Sequence, residues 1–174
     1  MGSNLQDHIM ISIDALAENS ERLGFSPFQA VNPFNYIKWF TSNPYNGPLA
    51  DVAIGTGAFF HTPSVANDPY KRPEIQLMSV PFFVYFEWGT MYKEMLGLSE
   101  EHSSLSQEHF GKDGVTLLPA LLRPKSTGNI KLQSANHEDH PLIDPNYLED
   151  PEDVKTLVEA LKISKDILDS KHFK

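Results

Sequence analysis

The sequence predicts an α+β fold, an antiparallel β-sheet with helices packed on one face. Three observations carry that prediction. Several short stretches alternate apolar and polar residues with a period of two, the pattern of half-buried strands. These strands outnumber the helices and are not regularly interleaved with them, which argues against a parallel βαβ arrangement. The C-terminal segment carries a helix start signal followed by helical apolar spacing.

The elements follow in order. Ile9, Ile11 and Ile13 alternate with His8, Met10, Ser12 and Asp14, a strand starting almost at the first residue. The polar stretch 19–24 reads as a turn or short helix. Asn32 caps a short helix, and Pro33 suits its first turn, where no backbone N–H is needed. Phe34, Ile37 and Phe40 give that helix an apolar face, and Asn43-Pro44 stops it. Residues 50–61 read as a strand, in which Gly55 and Gly57 predict a bulge or the close approach of a backbone or ligand. In a third strand Glu74, Gln76 and Met78 alternate with Ile75, Leu77 and Ser79.

Residues 81–114 are the least regular, with helices expected around 90–98 and 100–110. Residues 115–122 form a strongly apolar strand, and Pro119 within it predicts an edge position or a bulge. Lys125-Ser126-Thr127-Gly128 makes a turn. Ile130 and Leu132 then alternate with Asn129, Lys131 and Gln133, so the two runs look like a hairpin. Residues 136–146 form a polar extended segment. Asp150 is a good N-cap, Pro151 fits the first helical position, and Glu152 and Asp153 complement the helix dipole. Val154, Leu157, Val158 and Leu161 then follow the spacing of a helix with one face on a core, running to about Ser170.

Composition narrows the function classes. The chain has 174 residues, 40% of them hydrophobic and 21% charged, an ordinary globular balance for one domain. Eleven Phe, six Tyr and two Trp argue against disorder. A formal net charge of −9 makes nucleic acid and anionic membranes poor partners. With no cysteine there is no disulfide, thiolate metal site or cysteine nucleophile. No apolar run approaches the roughly 20 residues of a membrane helix. The first 14 residues lack the basic and long apolar regions of a signal peptide.

Common catalytic signatures are missing. No dinucleotide-binding G-x-G-x-x-G, P-loop or G-x-S-x-G occurs; Gly55-Thr56-Gly57 lacks a third glycine and reads as strand. His137-Glu138-Asp139-His140 precedes Pro141 in a polar stretch, not on a helix where imidazoles four apart converge. It reads as a solvated turn, with no metal assigned. His102 and His109 share a possible helix face and need no function. The acids Glu100, Glu101, Asp150, Glu152 and Asp153 look like helix-start charges rather than a catalytic pair.

Four segments, in order, carry a resemblance. They are Gly2-Ser3-Asn4-Leu5-Gln6-Asp7-His8, then Asn46-Gly47-Pro48-Leu49, then Leu121-Leu122-Arg123-Pro124-Lys125-Ser126-Thr127-Gly128, then Pro141-Leu142-Ile143-Asp144-Pro145-Asn146-Tyr147-Leu148. Together they resemble the glucose–methanol–choline (GMC) oxidoreductases, in a branch similar to insect glucose dehydrogenase and choline dehydrogenase. The family usually has Arg where Thr127 stands, which bears on that corner's geometry. The resemblance implies an FAD enzyme that oxidises an alcohol by hydride transfer to flavin. It implies that residues 1–8 are a hinge from the FAD domain and that 9–174 belong to the substrate-binding domain. The Rossmann-like FAD domain would lie outside this chain, as would the catalytic histidine, so the chain by itself is expected to bind no FAD and to catalyse nothing.

The resemblance also implies site residues. The strands 74–78 and 115–122 match the family's roof over the flavin. Gln76 and Met78, with Leu118 and Ala120, are then walls of a small-alcohol pocket; alternatively, Ile75 and Leu77 are core and Gln76 is solvated. Asn4 and Leu5 in the hinge motif approach the cofactor, or Asn4 and Asp7 cap a turn. No residue here is assigned acid–base catalysis. A different class of function is a free-standing binding or scaffold domain derived from such an enzyme.

Overall fold

The computed structural model describes residues 2–16, 32–41, 54–65, 72–80, 99, 101 and 114–171. Among them lie strands β1 (Ser3–Leu5), β2 (Ile9–Met10) and β3 (Ile13–Leu16), helix α1 (Pro33–Thr41), β4 (Thr56–Phe60), a 3-10 turn (Pro63–Val65), β5 (Ile75–Val80), β6 (Gly114–Leu121), β7 (Gly128–Lys131), β8 (Leu142–Asp144) and helix α2 (Pro151–Leu168). They form two sheets. One has the order β1-β7-β8; the other runs β2-β6-β5-β4, with β3 also on β6. The described pairings β1–β7, β7–β8, β2–β6 and β3–β6 are antiparallel, in keeping with the predicted α+β class. The chain divides into two compact units, Met1–Ile11 with Ala58–Leu77 and Leu118–Phe173, and Ser12–Gly57 with Met78–Leu117 and Lys174.

In the first unit, four strands meet one helix. Ile9 from β2, Leu121 from β6, Ile75 from β5 and Phe60 from β4 pack with Leu157 and Ala160 of α2. The helix starts where predicted. Asp150 accepts the Glu152 N–H at 2.9 Å, and Pro151 follows in the first turn. Its buried stripe is different from the predicted one. Asp153, Thr156, Leu157, Ala160 and Ser164 are buried, while Val154 and Val158 are each 42% exposed. The small side chains of the stripe let the helix lie close to the sheet. Ser164 satisfies its own hydroxyl on the Ala160 carbonyl at 2.8 Å, so its burial leaves no orphaned donor.

The expected hairpin is corrected. Residues 115–122 and 129–133 do not form one: β7 pairs with β1 and β8, in the other sheet. Between them the chain turns away, because the Lys125 and Ser126 N–H groups are taken by the Asp153 carboxylate rather than by a strand partner. Residues 136–146, expected to be extended, contain β8, whose register on β7 runs Asn129↔Asp144, Ile130↔Ile143 and Lys131↔Leu142.

Pro119 lies in β6, which has neighbours on both sides, so it is not an edge residue. Ile11 donates to the Pro119 carbonyl at 3.2 Å, and proline has no N–H to return. The strand predicted across residues 8–14 is interrupted there, and Ile11 is exposed instead of sharing the core with Ile9.

In the second unit, β3 pairs with the start of β6, with Ile13 opposite Leu117 and Leu16 opposite Gly114. The Thr116 hydroxyl bonds the Asp14 carboxylate across that pair. Helix α1 begins as predicted, Asn32 accepting the Phe34 N–H at 3.0 Å. Its apolar face is open, with Phe34 and Phe40 each 75% exposed. A Cβ at Gly55 would meet nothing within 4 Å, so among the described residues no other backbone comes close there. Residues 19–24, 43–44, 50–53 and 90–98, and 100–110 apart from Glu101, lie outside the described residues, as do His102 and His109. Among the described residues no helix is long and apolar enough to cross a membrane.

Candidate functional site

Three of the four motif segments converge in the first unit; the fourth, residues 46–49, lies outside the described residues. Strand β1 pairs with β7, where Gly2 accepts the Ile130 N–H at 2.7 Å. Gly2 has φ of 83°, and a Cβ there would lie 2.0 Å from the Ile130 carbonyl oxygen, so both conformation and space require glycine. Gly128 meets a similar restriction: its Cβ would lie 2.0 Å from the Asp144 carbonyl oxygen and 2.6 Å from Pro145. Gln6 donates to the Pro124 carbonyl at 2.9 Å, and Asn146 to the Thr127 carbonyl at 3.2 Å. Tyr147 donates to Asp7 at 2.6 Å. The segments are thus tied together by glycines at contact points and by side chains that reach across.

Asp153 is the buried anchor of this cluster. It is 2% exposed, and its carboxylate accepts the Lys125 N–H at 2.8 Å, the Ser126 N–H at 2.9 Å and the Ser126 hydroxyl at 2.6 Å. The Ser126 oxygen in turn accepts the Asp150 N–H at 3.0 Å. A helix-dipole role for Asp153 was legible in the sequence. Its hold on the turn 125–126 was not, since nothing local pairs residues 27 positions apart.

A second polar group surrounds Glu74, which is buried. Its carboxylate accepts the Thr62 N–H and the Thr62 hydroxyl, the latter at 2.9 Å, and pairs with His61 Nδ1 at 2.9 Å. The 3-10 turn is fastened to α2 by Glu159, which accepts the Ser64 N–H at 3.0 Å and hydroxyl at 2.7 Å. Those two donors, the hydroxyl first, hold the Glu159 carboxyl below its ordinary range. A cavity of about 330 Å³ lies between these groups, lined in part by Ser64, Glu74, Arg123, Lys125, Asp153 and Thr156. Its two buried carboxylates are already engaged within the chain.

The predicted pocket residues fall on the other face of the larger sheet. Ile75 and Leu121 face the helix, so strand alternation turns Gln76 and Ala120 away from it, with Leu118 on the same side as Ala120. Gln76, Met78 and Leu118 are half-buried and Ala120 is buried. Met10, opposite Ala120 in register, and Phe59, which alternates with core-facing Phe60, share that face and are exposed. The sequence reasoning omitted these two, although their neighbours' periodicity was the available signal.

Asn4 is exposed and has φ of 61°, and the β1–β7 register slips between Ser3 and Leu5. It is the extra residue of a bulge, which turns its side chain out of the ladder. Leu5 is half-buried beside it. Asp7 accepts the His8 N–H at 2.8 Å with one oxygen and holds Tyr147 with the other. The start of α2 does not fit a dinucleotide pyrophosphate. Asp150 caps it, and Glu152 and Asp153 occupy its first turn, where an anion would need free N–H groups.

Residues 134–140 form a local turn in which Ser134 donates to Asp139 at 2.5 Å and Glu138 N–H to Asn136 at 3.2 Å. His137 and His140 are exposed, and no group of three His, Asp or Glu converges among the described residues.

Residues 124–174 match the GMC oxidoreductase family model, beginning at the Pro124–Gly128 segment that packs on β8 and running through α2. The chain is similar to that family over these residues. Among its relatives, an alcohol dehydrogenase (acceptor) of Pseudomonas putida is 34% identical over 100% of this chain and 28% of its own length. A glucose dehydrogenase (FAD, quinone) of Drosophila pseudoobscura pseudoobscura is 29% identical over 94% of this chain and 23% of its own. The fold is shared with a formate oxidase of Aspergillus oryzae, solved in work on its FAD modification. That match has a TM-score of 0.64 at 18% identity, covering 96% of this chain and 30% of the oxidase. The chain therefore spans between 23% and 30% of the length of these proteins.

Proposed function

We propose that this chain is the substrate-binding part of an FAD-dependent oxidoreductase acting on the CH–OH group of its donor. Residues 9–174 form the substrate-binding part and residues 1–8 the hinge to an FAD domain. The observation that carries this reading is the relationship to an alcohol dehydrogenase along the whole chain, at 34% identity. The sheet supports it: α2 packs on the face that carries Ile75 and Leu121, and Gln76, Leu118 and Ala120 lie on the opposite face. In the reaction class, an alcohol gives up a hydride and a proton to become the carbonyl compound. FAD supplies the hydride acceptor when bound. The described residues contribute pocket walls, and none of them is assigned the proton.

The test uses the complete gene product that contains this chain. Purified protein should show flavin absorbance, and adding its alcohol without oxygen should bleach it. The chain by itself should be colourless. A colourless complete product would instead favour a free-standing binding domain, and flavin held by the chain alone would show that its cofactor contacts extend beyond Asn4 and Leu5.

A further inference from the structure

The segment that joins β8 to α2 carries two residues in the left-handed region, Asn146 at φ of 52° and Leu148 at φ of 61°, on either side of Tyr147. Asparagine tolerates that conformation. For leucine it is unfavourable, because the Cβ crowds the neighbouring carbonyl oxygen. A leucine found there marks a place where surrounding contacts hold the backbone against its own preference.

Those contacts are hydrogen bonds at three points. At the start of the segment the Asn146 N–H donates to the Asp144 carboxylate at 3.0 Å, and the Asn146 side chain donates to the Thr127 carbonyl at 3.2 Å. At its end the Asp150 N–H donates to the Ser126 hydroxyl at 3.0 Å. Between these ties the Tyr147 hydroxyl reaches Asp7 at 2.6 Å. Asp7 belongs to a stretch that is itself anchored, by Gly2 on Ile130 and by Gln6 on Pro124. Tyr147 is 49% and Leu148 40% exposed, so burial does not lock the segment. The Tyr147–Asp7 bond lies at the surface, where water competes for it, and neither residue belongs to the core of Ile75, Leu121, Leu157 and Ala160.

We infer that residues 145–149 form a strained strap latched by Tyr147 on Asp7. With the bond made, Leu148 is held in the left-handed region. When the bond opens, or residues 2–8 shift, Leu148 relaxes to extended backbone. The N-terminal segment thereby sets the conformation of the stretch that leads into α2. This device does not depend on the proposed function.

Limited digestion of the complete gene product with chymotrypsin tests this. The protease cuts after aromatic residues and leucine in extended backbone, so cleavage after Tyr147 and Leu148, followed by mass spectrometry, reports how much of the strap is released. Asp7→Ala removes the acceptor 140 positions away and leaves the cut residues unchanged. Cleavage there should rise about three- to tenfold, the range of one hydrogen bond. Tyr147→Phe keeps an aromatic residue at the cut and should give a similar rise, with no further rise in the double variant, because both changes remove the same bond. Leu148→Gly relieves the backbone penalty and leaves the latch in place. Its cleavage after Tyr147, taken relative to a peptide of the same sequence, should fall below that of wild type. The inference is overturned by a rate that Asp7→Ala leaves unchanged, by single-variant rises that multiply in the double variant, or by a glycine variant cut no more slowly than wild type. A rise shared by every cleavage site of the chain also overturns it, since that is global unfolding.

Discussion

Tyr147 donates its phenolic hydrogen to Oδ2 of Asp7 at 2.6 Å, joining residues 140 positions apart. The bond fastens the first motif segment of the chain to the last. Through it, the Asp7 carboxyl lies below its ordinary value, with the Tyr147 hydroxyl the larger cause and the His8 N–H the next. The Tyr147 hydroxyl lies above its ordinary value, because ionising it would lose that bond and set two negative charges together.

This pair predicts a two-sided pH dependence. A depressed carboxyl contributes stability that is complete above its unfolded value and is lost as pH falls through its folded one. A raised phenol contributes stability that is complete below its unfolded value and is lost as pH rises through its folded one. Tyr147→Phe should therefore be less stable than wild type near neutral pH, and the gap should narrow at both extremes. Urea unfolding over a pH series measures it; a gap that stays constant would contradict the assignment.

Asp153→Ala removes the acceptor for two backbone N–H groups and one hydroxyl at a buried turn. Leaving such donors unsatisfied costs about 1–3 kcal/mol each where water cannot replace the partner. The variant should lose about 2–4 kcal/mol in chemical denaturation, with some loss relieved by water entering the adjacent cavity. A loss below about 1 kcal/mol would show that the turn does not depend on this carboxylate.

Gly128→Ala places a methyl against the Asp144 carbonyl and Pro145, both of which are backbone and cannot swing aside. The β7–β8 pairing should loosen, at a cost above about 2 kcal/mol. Hydrogen exchange at Lys131, whose N–H faces β8 while that of Ile130 is taken by Gly2, should accelerate. Unchanged exchange there would mean that the sheet absorbs the methyl by a small shift.

The buried stripe of α2 separates two substitutions on its buried and exposed sides. Ala160→Leu overfills a fully buried position and should cost about 1–3 kcal/mol. Val158→Thr lies on the exposed side and should stay within about 0.5 kcal/mol. The reverse ranking, by thermal or chemical denaturation, would restore the stripe that the apolar spacing predicts.

Residue order alone determined the features that rest on neighbouring atoms. Asn32-Pro33 and Asp150-Pro151 start helices because a cap oxygen and a fixed proline φ act within three residues. Gln76 was legible as an outlier between Ile75 and Leu77 because strand alternation is local. Tertiary structure decided what distant backbone makes possible. The partner of β7 was decided by Asp153 drawing the 125–126 turn out of line, and the buried side of α2 by how closely Ala160 and Ser164 can meet the sheet rather than by where the larger valines fall. The glycines Gly2 and Gly128 show the same division: the sequence displays them, but only the carbonyls of Ile130 and Asp144, brought within 2.0 Å of where a Cβ would stand, explain why no side chain fits.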